Sequence, residues 1–489
     1  MENLLTGLLS VEKGGRLPVY LQIAHQIAVL VRAGTLQPGY KLPSTRQLAA
    51  ALQVHRRIIV QAYEELLAQG WLESHVGNGT FVARHLPGIQ IRKPESELPE
   101  ASNALTKAGF SFKTASHLNK PVLKSGTRLH LDDGFPDARL APLEALSRAY
   151  RSQLLNGNPY VRLGYGDTKG SYWLRQEFSA YLNETRGLKT KPENILITRG
   201  VIMGVFLIST GLLQPGDHVV ADAAGWHGAN MNFVQAGAKV LHVPVDEFGM
   251  NVNALEELCK KQPIRLVYIT SHHHYPTTVA LRADRRIALM ELSVKFGFIV
   301  LEDDYDYDFH YLSKPLLPLA GTDSAGMVLY CGSFTKTISP AFRVGYLVGP
   351  EDVIGHLAAY RRIIDRQGDQ MLENAMAELL HNGIIQRHLR KSVRVYRQRR
   401  DLFCELMKIH LQDYTDFQVP DGGMAVWTRF DPGIDLVRLA EKALARDLYF
   451  ANGAANALLG QPRNAVRLGF ASSTPEELEE SVRIIRNLL

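Results

Sequence analysis

Residues 327–336 read Met-Val-Leu-Tyr-Cys-Gly-Ser-Phe-Thr-Lys. The first five suit a strand buried on both faces, and the glycine and serine that follow end it, so a lysine sits just beyond a strand among hydroxyl residues. Upstream, Val300-Leu301-Glu302-Asp303-Asp304-Tyr305 is a second apolar run, and it closes on acids. Ile195–Thr198, Leu266–Ile269 and Phe298–Leu301 are of the same β-rich kind, and helical stretches such as Ala283–Lys295 lie between such runs. Apolar strands alternating with helices predict an α/β domain with a mainly parallel sheet and helices on both faces. In sheets of that kind ligands bind outside the carboxyl ends of the strands, which is where these polar groups fall.

The groups gathered at those strand ends match the needs of pyridoxal 5′-phosphate. That cofactor takes a lysine for its Schiff base, hydroxyls and an arginine for its phosphate, and a carboxylate at its pyridine nitrogen. Lys336 supplies the amine, and Ser333, Thr335 and Arg343 are the candidate phosphate ligands, a guanidinium being suited to bidentate pairing with phosphate. The acids after Leu301 offer the carboxylate, with a tyrosine beside them for the phenolic oxygen. Other readings of these residues meet specific obstacles. Ser333-x-x-Lys336 has the spacing of a serine β-lactamase element, but Lys336-Thr337-Ile338 is not Lys-Thr-Gly and no Ser-Asp-Asn occurs. Asp304-x-Asp306-x-Asp308 imitates a calcium loop, yet Phe309 stands where glycine is needed and Pro315 where the last glutamate belongs. His272-His273-His274 invites a metal reading, but adjacent residues on an extended chain point to opposite sides and chelate poorly, so no metal is expected.

The start of the chain has a different grammar. After Pro18, Ile23, Ile27, Leu30 and Val31 fall on one helical face and Gly34 ends the run. Pro38-Gly39 marks a turn, and Ser44-Thr45-Arg46-Gln47 reads as a capping box opening a second helix. A third run places Ile59, Ala62, Tyr63, Leu66 and Leu67 inward, and the short break before it makes a helix-turn-helix. Trp71–Val76, the turn Gly77-Asn78-Gly79 and Thr80–Val82 then form a hairpin. Three helices and a hairpin are a winged helix. Basic and polar groups near a recognition helix N-terminus meet phosphates and base edges. The candidate DNA contacts are therefore Lys41, Ser44, Arg46, His55, Arg56 and Arg57, with Gly77 and Gly79 at the wing tip.

Bulk properties agree with a two-domain protein. A chain of 489 residues exceeds one core, and 46% hydrophobic with 21% charged residues is an ordinary globular composition. Residues 1–85 form the expected DNA-binding domain, 86–126 a proline- and serine-containing extended linker with room for one short helix, and 127–489 the large domain. A net charge of +6 permits nucleic-acid binding without demanding it. Cys259, Cys331 and Cys404 are too few and scattered for a disulfide framework, no apolar run reaches the length of a membrane span, and the first residues are no signal peptide. The expected location is cytoplasmic, with no membrane partner.

Two resemblances now carry the reading further. The pieces PVYLQIAHQI, GTLQPGYKLPSTRQLAAAL, AYEELLAQGWLE and GNGTFVA, within residues 18–83, resemble the winged helix-turn-helix of the GntR superfamily. From about residue 128 onward the chain resembles fold-type I, class I aminotransferases. Gly164-Tyr165-Gly166-Asp167, Leu213–Asp217, Tyr275-Pro276-Thr277, EDDYD at 302–306, GSFTK at 332–336, Phe342–Tyr346 and Arg467–Phe470 carry that likeness. The fusion is the layout of the MocR subfamily of regulators. The resemblance implies a C-terminal small α/β subdomain and a homodimer with large domains paired head to tail. It also implies Lys336 as the aldimine lysine, Asp303 as partner of the pyridine nitrogen and Tyr305 as partner of O3′. Arg343 and Ser333 would bind phosphate, and Arg467 would receive the carboxylate of an amino-acid-like effector.

Departures from the family pattern cluster at the same place. Gly200-Val201-Ile202-Met203-Gly204 lacks the usual side-chain donor before the phosphate-binding helix, leaving backbone N–H groups to serve an anion. Trp226 replaces a tyrosine, and His274 and Thr278 alter the motif that holds Tyr275. His55 stands where relatives place serine, a weaker helix cap that frees its ring for DNA. The expected function is a pyridoxal-phosphate-binding regulator whose effector is the cofactor or an amino compound forming an aldimine with it. The alternative is an active aminotransferase with a DNA-binding appendage, and a residual half-reaction is compatible with either.

Overall fold

The structure is a computed structural model that describes all residues except 1–4, 6, 16, 86–107, 109, 119–125, 224, 312–315 and 454–463. The chain divides into two units, Met1–Thr114 and Ala115–Leu489. Most of the expected linker, residues 86–126, lies outside the described residues; its described part holds one short turn of helix, Ser116–Leu118.

In the first unit α1 (Val19–Arg32), α2 (Thr45–Ala51) and α3 (Arg56–Ala68) precede the hairpin strands β1 (Leu72–His75) and β2 (Gly79–Val82). Ile23, Ile27 and Val31 of α1 join Leu48 of α2 and Ile59, Ala62, Tyr63 and Leu66 of α3 in one core, as their helical spacing dictates. Leu30 and Leu67, expected inward, are only partly buried at its edge. The capping box forms: the Ser44 hydroxyl accepts from Gln47 N–H and the Gln47 side chain returns the bond to Ser44 N–H. The Tyr63 hydroxyl donates to the Pro43 carbonyl at 2.8 Å, tying α3 to the entry of α2. The strands pair from Leu72 with Val82 to His75 with Gly79, leaving Val76-Gly77-Asn78 as the tip. Gly77 and Gly79 adopt φ of 81° and 110°, values that other residues rarely take.

The second unit is built on a seven-stranded sheet. Its strands are β3 (Ile195–Thr198), β4 (His218–Asp222), β5 (Lys239–Val243), β6 (Leu266–Ile269), β7 (Ile299–Asp304), β8 (Val328–Ser333) and β9 (Gly345–Val348). They lie in the order β3-β9-β8-β7-β6-β4-β5. Only β9 runs against the rest, pairing antiparallel with both β8 and β3. Alternate residues feed opposite layers, the period-2 rule applied to a sheet covered on both sides. Leu196, Leu329 and Leu347 pack with Val205 and Ile208 of the helix Val201–Leu212. Ile195, Ile197, Tyr330 and Tyr346 pack with Phe178 and Leu182 of the helix Tyr172–Arg186.

A helix of 28 residues, Ile384–Leu411, leads to a smaller C-terminal layer. There Thr415–Phe417, Ala425–Phe430 and Ala465–Gly469 make an antiparallel sheet, packed with the helices Leu436–Leu444 and Pro475–Leu488. Pairing of Trp427 with Arg467 fixes the register that positions Arg467. Among the described residues, no helix is long and apolar enough to cross a membrane.

Candidate functional site

In the N-terminal unit, Arg46, Arg56 and Arg57 are exposed on α2 and at the start of α3, and Lys41 is exposed beside the hairpin. The Arg56 Nε donates to the Thr45 hydroxyl at 3.3 Å and so bridges the two helices. Lys41 extends the hairpin through a bridge to Phe81, with its ammonium 5.7 Å from the centre of that ring. His55 is the N-cap of α3, and its Nδ1 accepts from Arg57 N–H at 3.2 Å. The imidazole thus does the work of the missing serine hydroxyl, which sequence reasoning had not assigned to it. Its ring remains exposed.

In the second unit a cavity of about 290 Å³ opens at the carboxyl edge of the sheet. Its walls follow strand ends: Val201 and Ile202 after β3, Trp226 after β4, Thr270 after β6, Asp303 near the end of β7, and Ser333 at the end of β8. Arg343 reaches the same edge because β9 runs the other way and starts there. Tyr275, Tyr305, Thr335 and Lys336 complete the set, so ten residues expected at a cofactor site line one space. Asp133, Phe135, Tyr268, Thr270 and Pro340 line it too and were not foreseen.

The strand period explains the acids of β7. Glu302 accepts from the Ser271 hydroxyl at 2.5 Å and from Leu319 and Ala320 N–H, and Asp304 accepts from the Tyr330 hydroxyl, so both are engaged away from the cavity. Asp303 points the other way. Its Oδ2 accepts from the Tyr268 hydroxyl at 2.6 Å while its buried Oδ1 has no hydrogen-bond partner. An unpartnered buried carboxylate oxygen is costly, and a protonated ring nitrogen is the kind of donor that would satisfy it. Burial pushes the Asp303 carboxyl up to about 7, helped by nearby Asp306 and opposed by the Tyr268 hydrogen bond.

That shift has a testable consequence with a definite sign. An unfolded aspartate titrates near 3.9, so between about pH 4 and 7 the folded chain keeps a proton that the unfolded chain has lost. Stability from this group is therefore full at low pH and is lost as pH rises through about 7. Thermal midpoints of the cofactor-free chain across that range should fall less steeply in Asp303→Asn, by the equivalent of about one proton. Asp304, also pushed up to about 7 by burial, remains in both proteins as the control. Identical slopes would show that Asp303 is not the group held protonated.

The start of the helix Val201–Leu212 and Arg343 form a second part of the wall, one that could hold an anion. Gly200, with φ of 75°, caps the helix Val201–Leu212, and a Cβ there would meet the Arg343 guanidinium at 2.9 Å. Arg343 itself has φ of 52° and donates to the Arg199 carbonyl at 2.8 Å, which holds the guanidinium against the helix start. Val201 and Ile202 bring no polar side chain, leaving the first-turn N–H groups, whose partners an anion can supply. The Ser333 hydroxyl donates to Thr335 Oγ1 at 2.6 Å and accepts from Thr335 N–H at 3.0 Å.

Lys336 is part-buried, its Nζ donating to the Gly134 carbonyl at 2.7 Å and lying 4.4 Å from the Phe135 ring centre. Burial lowers its pKa from the ordinary lysine value, against the pull of Asp133 and Asp132, which favours a neutral, nucleophilic amine. Tyr305 donates to the His273 carbonyl at 2.8 Å. Arg467 does not line the cavity: it is 2% exposed, with its Nε 3.1 Å from Asp133 Oδ1. The three adjacent histidines lie on a bend after the strand and take separate hydrogen-bond partners, though the rings of His272 and His273 both approach His310. His272 donates to the Leu316 carbonyl, His273 bonds Asp306 at 2.7 Å, and His274 faces Asp222 at 3.1 Å.

Residues 135–485 match the family of class I and II aminotransferases, and residues 19–82 match the gntR family of bacterial regulatory proteins. The probable rhizopine catabolism regulatory protein MocR of Rhizobium meliloti is 26% identical over 489 residues, covering 98% of this chain and 95% of that protein. The HTH-type transcriptional regulator TauR of Rhodobacter capsulatus is 28% identical over 487 residues, covering 97% of each. Among solved structures, an archaeal alanine:glyoxylate aminotransferase superposes with a TM-score of 0.70 at 26% identity, covering 74% of this chain and 91% of its own.

Proposed function

The chain belongs to the class I and II aminotransferase family and carries a gntR-type DNA-binding head, and from that premise we propose that it is a transcription regulator controlled through pyridoxal 5′-phosphate. The aminotransferase fold implies dependence on that cofactor, and the head implies DNA binding. Relatives that span both parts are named as regulators, which favours regulation over turnover.

The observation that carries the cofactor reading is the free Oδ1 of Asp303, set in the same cavity as Lys336 and the Gly200–Arg343 cradle. Lys336 would hold the cofactor covalently, and Asp303 would hold its ring nitrogen. Ser333, Thr335, Arg343 and the N–H groups of Val201 and Ile202 would take its phosphate. Trp226 would cover the ring, and Tyr275 and Tyr305 would bound its far side. Bound there, the cofactor supplies an aldehyde carbonyl that reacts reversibly with a primary amine. The protein's part is to orient that carbonyl, lower the proton affinity of the Lys336 amine and offer the free Asp303 Oδ1 to the proton of the ring nitrogen. In the head, Lys41, Ser44, Arg46, His55, Arg56, Arg57 and the tip glycines Gly77 and Gly79 would contact DNA.

The cofactor, or an amine bound to it, acts on DNA binding only through different affinities for two states of the chain. A homodimer, paired head to tail, fits the exposed apolar side chains of Tyr160, Val161, Leu163 and Tyr165, which are 90%, 70%, 66% and 78% exposed in the single chain. The test is binding of the full chain to DNA upstream of its own gene, with and without pyridoxal phosphate. Affinity that does not change with the cofactor would count against cofactor control. Steady transfer of amino groups to a keto acid at rates near about 10 per second would instead favour a working aminotransferase.

A further inference from the structure

The cavity beside Lys336 shows a carboxylate on the side where an effector carboxylate was expected to find an arginine. Arg467 is sealed: it is 2% exposed, and its guanidinium lies 5.1 Å and 5.9 Å from the ring centres of Tyr275 and Tyr305. Its Nη1 donates to the Pro276 carbonyl at 3.2 Å, and its Nε faces Asp133 Oδ1 at 3.1 Å. The Asp133 side chain, by contrast, is 35% exposed and forms part of the cavity wall. It is also held in place, since its Oδ2 accepts from the Tyr275 hydroxyl at 3.0 Å. The neighbouring Gly134 carbonyl receives the Lys336 amine, so the chain at Asp133 runs directly past the reactive nitrogen.

The Asp133 carboxylate therefore meets an incoming ligand before Arg467 does. A ligand carboxylate would face a like charge and would have to break a largely buried ion pair to reach the guanidinium, which costs more than a solvent-exposed pair would. A second ammonium group on the ligand would instead find a carboxylate already oriented for it. Asp132 and Asp306 add to the negative field around Lys336, with Arg467 the opposing cation.

We propose that Asp133 is a specificity-determining residue that directs the site to diamines, primary amines carrying a second ammonium group and no carboxylate. This rests on the reading that Lys336 holds pyridoxal phosphate. The full chain, loaded with that cofactor, is titrated at equilibrium with 1,5-diaminopentane, with L-lysine, which adds an α-carboxylate, and with 5-aminopentanoate, which exchanges the second ammonium for a carboxylate. Cofactor absorbance and thermal midpoint report binding. Wild type should prefer the diamine by about tenfold or more, the effect expected of a like-charge contact. Asp133→Asn, which keeps the volume and an acceptor for Tyr275, should narrow or reverse the preference, as should Asp133→Ser.

Equal or tighter binding of L-lysine by wild type overturns the proposal, as does an unchanged preference in variants that retain the cofactor band. So does absence of binding by all three amines. Loss of the cofactor band in both variants would make Asp133 a cofactor-site residue and overturn its role in selection. A wild-type chain with no cofactor band before any amine is added overturns the underlying cofactor reading instead.

Discussion

Lys336→Ala should abolish the shift in absorbance that pyridoxal phosphate acquires on linking to the wild-type chain, while leaving a weaker association in which the cofactor keeps the spectrum of its free aldehyde. The shifted band requires a covalent link to an amine, whereas the unlinked aldehyde keeps its own. Lys336 is the lysine of the cavity wall, and burial has already lowered its proton affinity. The groups expected to hold phosphate and ring nitrogen are untouched by the change. Arg343 stays anchored to the Arg199 carbonyl, Gly200 keeps its turn, and Asp303 keeps its Tyr268 bond. Calorimetry should therefore still detect binding of the cofactor, at reduced affinity, where the shifted band no longer forms. A shifted band that survives in Lys336→Ala would remove this residue from the cofactor reading.

The second large effect is expected in the head. Arg46→Ala combined with Arg57→Ala should weaken binding to operator DNA by about ten- to a hundredfold near physiological salt. It should also reduce the slope of log affinity against log salt by about 2, since each lost phosphate contact releases about one counterion fewer. Both side chains are exposed, and neither forms an ion pair among the described residues, so the fold should lose little stability. Arg56 is a poorer choice for this test, because its bond to Thr45 also braces α2 against α3. Unchanged affinity and salt slope, in a variant that melts with wild type, would move the DNA-contacting face elsewhere.

Much of the architecture could be read locally. The capping box at Ser44 and Gln47 and the inward faces of α1 and α3 are periodic or short-range features, and the folded chain has them within a residue or two. The strands from Ile195 and Leu266 were legible for the same reason, since a parallel strand buried on both faces is a continuous apolar run. Where local reading failed, a competing local role had won. Leu30 and Leu67 sit at the margin of the helical stripe, and His55 had a ring nitrogen able to cap.

The ten cofactor-site candidates were found because each lay in a motif or at a strand end. Tyr268 and Thr270 had no such label: one looks like any core aromatic, the other like any turn hydroxyl, until β6 is laid beside β7. Residue types and spacing thus identified Lys336 beyond its strand and the acids of β7, because side-chain period and strand ends are properties of the chain itself. The pairing of Asp133 with Arg467 is different in kind. Asp133 precedes every strand of the large sheet, and Arg467 lies on the last strand of the small one. No local pattern connects them, and the sign of the charge facing Lys336 emerged only when the two layers packed together.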